Sequence, residues 1–378
     1  MKRKRLQTAV FALLLFAAGC GSNPTGTNLN QAPSCVPSSK SSFAYVLNSN
    51  NTILSYTVNS CTGALTPTNP PTVTTNGNSF GSESIAVDPS GRFAYVANLM
   101  SNATDQATIS MYTINSSTGV LTPTAPQTVP TGFFPQGITI DPSGRFVYTA
   151  NSDDNTVSMF TVNQSTGVLT PTTPPTVATG LSPGSVTVGP SGKFAYVANQ
   201  DDGTISMYAV DSSTGVLTPT NPATVSGGSG FGVTVDPTAK FAYAPDNNNN
   251  FVSEFTIDGT TGVLTPTAQG AVAAGMEPTT VAIGLSSKFA YVVDRQGNSI
   301  SAYSIDPNTG DLSLMGTVAT GTQPWREVVD PSGKFLYVGN EASGSVSIYL
   351  INSDGTLTPA GSTSTQGPAY DVAVILPK

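Results

Sequence analysis

From about residue 41 onward, apolar and polar positions alternate in short bursts, and the bursts are separated by turn residues. One stretch illustrates the whole chain. Ile138-Thr139-Ile140 leads into Asp141-Pro142-Ser143-Gly144, and then into Phe146-Val147-Tyr148-Thr149-Ala150-Asn151. A polar loop follows, then Thr156-Val157-Ser158-Met159-Phe160-Thr161-Val162, a second turn at Ser165-Thr166-Gly167, and Val168-Leu169-Thr170-Pro171. Period-two alternation in β-branched and aromatic residues predicts strands. Asp-Pro-Ser-Gly suits a tight hairpin, because proline presets φ and glycine accepts φ > 0. No stretch carries a sustained helical period, so the unit is four short strands.

The unit recurs. Phe43, Phe93, Phe146, Phe194, Phe241, Phe289 and Phe335 each open the same word, with a tyrosine two positions on, at spacings of 46 to 53 residues. Four-stranded units at this period predict a β-propeller. The first unit begins at its second strand. The chain ends in Pro368-Ala369-Tyr370-Asp371-Val372-Ala373-Val374-Ile375, which reads as a first strand without its followers. The expectation is an all-β, seven-bladed β-propeller, four antiparallel strands per blade, its ring closed by the C-terminal strand joining blade 1 and covering the sheet edges left at the seam. Loops joining strands 2 and 3, and loops between blades, then share one face, here the top. The hairpins joining strands 1 and 2, and 3 and 4, lie on the bottom.

Composition narrows the chemistry. The 378 residues include 22 Asp+Glu, 14 Lys+Arg and no His, for a net charge of −8. Without histidine there is no Ser-His-Asp triad, no Cys-His dyad and no His-ligated zinc. The acidic balance argues against nucleic acid as a partner. The loops Asp153-Asp154-Asn155 and Asp201-Asp202-Gly203 hold ordinary turn residues. Nothing in the chain calls for a metal or a cofactor.

The N-terminus reads as an address. Lys2-Arg3-Lys4-Arg5 precedes an apolar run from Ala9 to Phe16 and then Ala17-Ala18-Gly19-Cys20, the layout of a secretory signal. The Gly-Cys end resembles a bacterial lipobox, which implies cleavage before Cys20 and its lipidation. The expected organisation is a signal at 1–19, a lipidated Cys20 with a polar tether at 20–40, and the propeller at 41–378. Gly21 is not the aspartate that retains lipoproteins at an inner membrane, so an outer-membrane location is favoured in a cell with two membranes. Export makes a Cys35–Cys61 disulfide plausible, with two buried thiols as the alternative. Both cysteines map to the bottom side, so such a bridge would leave the top face pointing away from the membrane.

The words Phe-Ala-Tyr-Val-Ala-Asn and Asp-Pro-Ser-Gly-Lys-Phe resemble the seven-bladed lactonase family, which includes the propeller type of 6-phosphogluconolactonase and grades into the YVTN-repeat propellers. The resemblance covers about residues 40 to 378. The segment from Thr320 to Glu341 is similar to the family signature Gly-x-x-Pro-Arg-His…Asn-Glu: Pro324, Asn340 and Glu341 match, while Trp325 stands where the family has Arg and Arg326 where it has His.

Repeats also allow each position to be compared with its six copies. Six basic residues, Arg92, Arg145, Lys193, Lys240, Lys288 and Lys334, share the slot before the strand 2 phenylalanine and read as solvated scaffold. Arg295 and Arg326 stand outside that pattern, and both map to the top. In the column opening the first strand, Glu327 and Asp371 replace aliphatics; Arg326 and Tyr370 share the column before it, and Trp325 aligns with Ala369. Glu341 and Arg295 open their top loops. These seven positions converge on blades 6, 7 and 1. One reading makes them a ligand site: Arg295 and Arg326 as an anion clamp, Glu341 or Glu327 as a base with a raised pKa, Trp325 and Tyr370 stacking on a sugar ring. The other makes them charge pairing at the closing seam. Two functions follow. The first is a monomeric, non-catalytic envelope module that binds a small carbohydrate-like molecule or an envelope protein through its top face. The second is a lactone hydrolase acting on an unphosphorylated sugar lactone.

Overall fold

Twenty-eight strands form seven four-stranded antiparallel sheets in a computed structural model, which describes residues 41–48, 50–75, 82–99 and 106–376. Blades 2 to 7 each use four consecutive strands. Blade 1 combines Ser42–Asn48, Thr52–Val58 and Leu65–Thr74 with the C-terminal strand Ala369–Ile375. The first strands of neighbouring blades touch all the way round, from blade 1 to blade 7 and back. The ring is closed as the sequence implies.

The repeated words have a physical basis that lies between blades. The tyrosine hydroxyl of each second strand donates to a glycine carbonyl in the 3–4 turn of the next blade. Tyr45 reaches Gly119 at 2.9 Å, Tyr148 reaches Gly215 at 2.8 Å, and Tyr337 reaches back to Gly63 at 2.8 Å. Tyr95, Tyr196, Tyr243 and Tyr291 make the same bond to Gly167, Gly262, Gly310 and Gly355. The phenylalanine two residues earlier packs on that same glycine: a Cβ on Gly119 would lie 2.3 Å from the Phe43 ring. The glycine also has φ of +71°, so the turn requires it twice over. Buried apolar clusters draw side chains from two adjacent blades, as Phe43, Tyr45 and Ile53 do with Ile85, Val96 and Tyr112. Stability therefore resides in the interfaces between neighbours.

The Asp-Pro-Ser-Gly hairpins are closed by their own aspartate. Asp141 Oδ1 accepts the N–H groups of Arg145 and Phe146 at 2.7 and 2.8 Å, and Oδ2 takes Ser143. The basic residue beside the phenylalanine does more than face solvent. Arg92 lies over the Phe93 ring and donates to the Gln164 carbonyl of the next blade, and Arg145 repeats this with Phe146 and Ser212. Asp154 and Asp202 likewise accept the N–H groups of Phe133 and Leu181 at 2.7 and 2.6 Å, anchoring interblade loops.

Blade 5 departs from the pattern: its first strand is only Thr234–Val235. The segment before it holds Gly227, Gly228, Gly230 and Gly232, and Pro245 opposite cannot donate to a ladder. Cys61, in the 3–4 turn of blade 1, is disulfide-bonded. Cys20 and Cys35, the signal at 1–19 and the tether at 20–40 lie outside the described residues.

Candidate functional site

The top of blades 6, 7 and 1 holds the concentrated charge that the columns indicate. Arg295 stands where strand 2 of blade 6 enters its top loop. Its Nη1 bonds Glu277 Oε1 at 3.0 Å and its Nη2 bonds Glu341 Oε2 at 2.9 Å. The guanidinium also lies over the Trp325 ring, 4.5 Å from the centroid. Burial pulls its pKa down, but the bonds from Glu341 and Glu277 more than offset this and hold it above its ordinary value. Trp325 in turn packs against Phe231 of blade 5, with ring centroids 4.5 Å apart at 54°. Blade 6 offers only Thr279 in this column, and its hydroxyl donates to the Trp325 carbonyl at 2.9 Å. A small residue there lets the two aromatics meet across it.

A second group sits next to the first, where blade 7 meets blades 1 and 2. Arg326 Nη1 lies 3.8 Å from Asp371 Oδ2 and donates to Ser84 Oγ at 3.3 Å. Asp371 Oδ2 also accepts from Ser84 Oγ at 2.9 Å and from the Ile85 N–H at 3.0 Å. The C-terminal strand is thus tied to both neighbours by one carboxylate.

The register corrects the alignment of that strand. Ala369, not Pro368, pairs with Asn48 as Pro324 pairs with Asn340; Asp371 pairs with Leu47 as Arg326 pairs with Gly339. Asp371 therefore shares the column of Arg326 and Ser84, Tyr370 that of Trp325, and Val372 that of Glu327. Pro368 resembles the proline that opens first strands in other blades but stands one position earlier, which shifts a proline-anchored alignment by one.

Glu327 alone, then, breaks the aliphatic column. Its Oε2 meets the Thr280 hydroxyl, while Oε1 is sealed from solvent with no hydrogen-bond partner among the described residues. The residue keeps some surface, but its carboxyl is desolvated, and burial pushes its pKa up to about 8. A carboxyl in this state is mostly protonated at neutral pH.

Two acids escaped the column reading. Glu277, the second partner of Arg295, sits in an interblade loop where lengths vary and columns are hard to draw. Glu254 occupies the strand 3 position of Met111, Met159 and Met207. In those three blades the methionine sulfur accepts a leucine N–H from the next blade at 3.2 Å; Glu254 Oε1 accepts the Leu312 N–H at 2.8 Å. It is fully buried, and burial pushes its pKa up to about 7. One carboxylate among methionines was the available signal. Beside the Arg295 cluster, a top-face hollow of about 390 Å³ is lined by Asn247, Asn248, Asn250, Met276, Glu277 and Gln296.

The sequence matches the family described as lactonase, 7-bladed beta-propeller, over residues 35–181, 169–283 and 272–374. Comparison with curated protein sequences gave no match. Among solved structures, a proposed 6-phosphogluconolactonase from Bacteroides fragilis superposes with a TM-score of 0.76 at 19% identity, covering 89% of this chain and 98% of that one. The periplasmic gluconolactonase of Pseudomonas aeruginosa gives 0.74 at 18%, covering 89% and 100%. Hydrazine synthase of Kuenenia stuttgartiensis gives 0.55 at 18%, covering 81% and 94%. At these identities the likeness is one of fold, and the fold serves unlike chemistries.

Proposed function

The chain belongs to the lactonase, seven-bladed β-propeller family, and from that premise we propose that it is an exported, lipid-anchored propeller that binds a carbohydrate-like ligand or an envelope protein through its top face without hydrolysing it. The observation that carries this reading is the mutual neutralisation of the charged groups. A hydrolase needs an oxyanion clamp and a base that are free to meet substrate. Here Arg295 has both terminal nitrogens on carboxylates and its face on Trp325. Arg326, in the slot of the family histidine, is directed to Asp371 and Ser84. The amide-lined hollow beside them offers donors and acceptors suited to hydroxyl groups, with Met276 as an apolar contact.

Trp325 is the sole tryptophan, so its emission reports on this mouth alone. Titrating sugar lactones and the matching sugar acids should give a saturable change in emission while the lactone is recovered intact. A response to no ligand, together with pull-downs whose partners ignore Trp325→Ala, would remove the binding reading. The anchor rests on Lys2 to Arg5, the apolar run and Gly19-Cys20; Cys20→Ala should move the protein from the membrane to the soluble fraction.

A lactone hydrolase remains the second reading, because one observation favours it. Glu327, with its pKa near 8, is in the range for proton transfer at neutral pH, and Arg326 is its neighbour in sequence.

A further inference from the structure

The bottom hairpins carry an internal comparison of a different kind. In blades 2, 3, 5 and 7 the turn opens with Asp88, Asp141, Asp236 or Asp330. Each carboxylate accepts the same two backbone N–H groups, four and five residues on. The distances for Arg92 and Phe93 are 2.5 and 2.7 Å, for Lys240 and Phe241 both 2.8 Å, and for Lys334 and Phe335 2.9 and 2.8 Å. Blade 4 has Gly189 at this position. Its hairpin keeps the same backbone bonds, Gly189 N–H to the Phe194 carbonyl and Gly192 N–H to the Gly189 carbonyl. The acceptor is gone: the Lys193 N–H keeps only the 3.3 Å contact to Ser191 Oγ that Lys334 also makes to Ser332 Oγ beside its aspartate, and among the described residues no side chain meets the Phe194 N–H.

A hollow of about 330 Å³ opens at this place, between blades 4 and 5. Gly189, Ser191 and Lys193 form one side, and Lys240 lies on the other. Its apolar wall includes Phe194, Tyr196, Val235 and Ile257. The nearby acids are engaged elsewhere: Asp236 closes its own hairpin, and Asp258 accepts the N–H groups of Thr260 and Thr261. A side chain at position 189 would fit, since a Cβ there meets only ordinary contacts at 3.7 Å. Blade 6 makes the same exchange at Gly284, but its Leu285 lies against Gly333 of the next hairpin.

We propose that this hollow binds a small organic carboxylate, whose headgroup takes the place of the aspartate missing at Gly189 and whose apolar body lies along Phe194, Val235 and Ile257. Four sister hairpins define the headgroup: two N–H donors and a hydroxyl, from serine in three and from Thr238 in blade 5, arranged for a carboxylate. Lys193 and Lys240 favour the anion at the rim. This site is on the opposite face from the Arg295 cluster and stands apart from the function proposed above.

The test is amide NMR on the full chain, titrated with hexanoate and, as the uncharged match, hexanol. Hexanoate should shift the Lys193 and Phe194 amide signals saturably, and hexanol should bind about ten-fold more weakly or worse. Gly189→Asp should abolish the response, because the side chain fills the niche. No saturable shift at these two amides, equal affinity for hexanol, or undiminished binding by Gly189→Asp would each overturn the proposal. Should Gly189→Asp fail to fold, the double variant Lys193→Gln/Lys240→Gln decides: it should weaken hexanoate and leave hexanol unchanged, and unaltered hexanoate affinity overturns the assignment.

Discussion

The Tyr337 hydroxyl, in the last blade, donates to the Gly63 carbonyl, in the first, across 2.8 Å. This bond joins residues at opposite ends of the propeller and repeats at the seam what six other tyrosines do around the ring. Tyr337→Phe leaves a buried carbonyl without its donor and should cost about 1 kcal/mol. Gly63→Ala should cost more, about 2–4 kcal/mol, since it combines left-handed backbone with overpacking: φ is +72° and the new Cβ would meet the Phe335 ring at 2.7 Å. Gly192→Ala, with φ of +68° and no neighbour within 4 Å, isolates the backbone part at about 1–2 kcal/mol. Denaturant unfolding of the three variants checks the order.

Glu254 makes stability depend on pH. Its folded-state pKa is pushed from 4.5 up to about 7. Between those values the unfolded chain has released the proton and the folded chain still holds it, so stability falls as pH rises through that window. Glu254→Met restores the residue used by three other blades and should remove its share of this dependence, leaving the part that the raised pKa of Glu327 contributes. At pH 8 the variant should be more stable than the parent by about 1–3 kcal/mol, with little gain near pH 4. Thermal unfolding across that range checks it; parallel curves for the two proteins would refute it.

Arg295 holds Glu277 and Glu341 together, and each carboxylate side chain is about a quarter exposed, at 22% and 23%. Arg295→Ala leaves two acids facing one another and should cost about 1–3 kcal/mol, between the values for surface and buried pairs. Arg295→Lys should recover at most half of that, because a single ammonium cannot bond both carboxylates while lying flat on Trp325. Urea unfolding of the two variants gives the comparison.

The blade count and the closing strand were legible because both follow from repetition: Phe43 to Phe335 number the blades, and the missing first strand of blade 1 has one candidate at the C-terminus. The tyrosines were legible as a word but not as a bond. Repetition marks Tyr45 and Gly119 as recurrent without saying that one reaches the other in the next blade. The charged positions were legible by their oddness, and Arg295, Arg326 and Glu341 do gather at the top. Their partners were not. Glu277 lies in a loop outside any column, and Pro368 drew the last strand one residue out of register, hiding that Asp371 faces Arg326. Arg92 and Arg145 read as solvated because nothing in a single repeat reveals the carbonyl waiting on its neighbour.

The claim that this propeller binds without hydrolysing rests on Arg295 being bonded to Glu277 and Glu341, and on Arg326 being turned to Ser84 and Asp371. Its most direct test is the opening rate of unphosphorylated sugar lactones with catalytic amounts of the full chain, read against the spontaneous rate in the same buffer. The account predicts no acceleration. A clear acceleration that falls in Glu327→Gln and Arg326→Ala would contradict it and make Glu327 the proton-transfer group of a working lactonase.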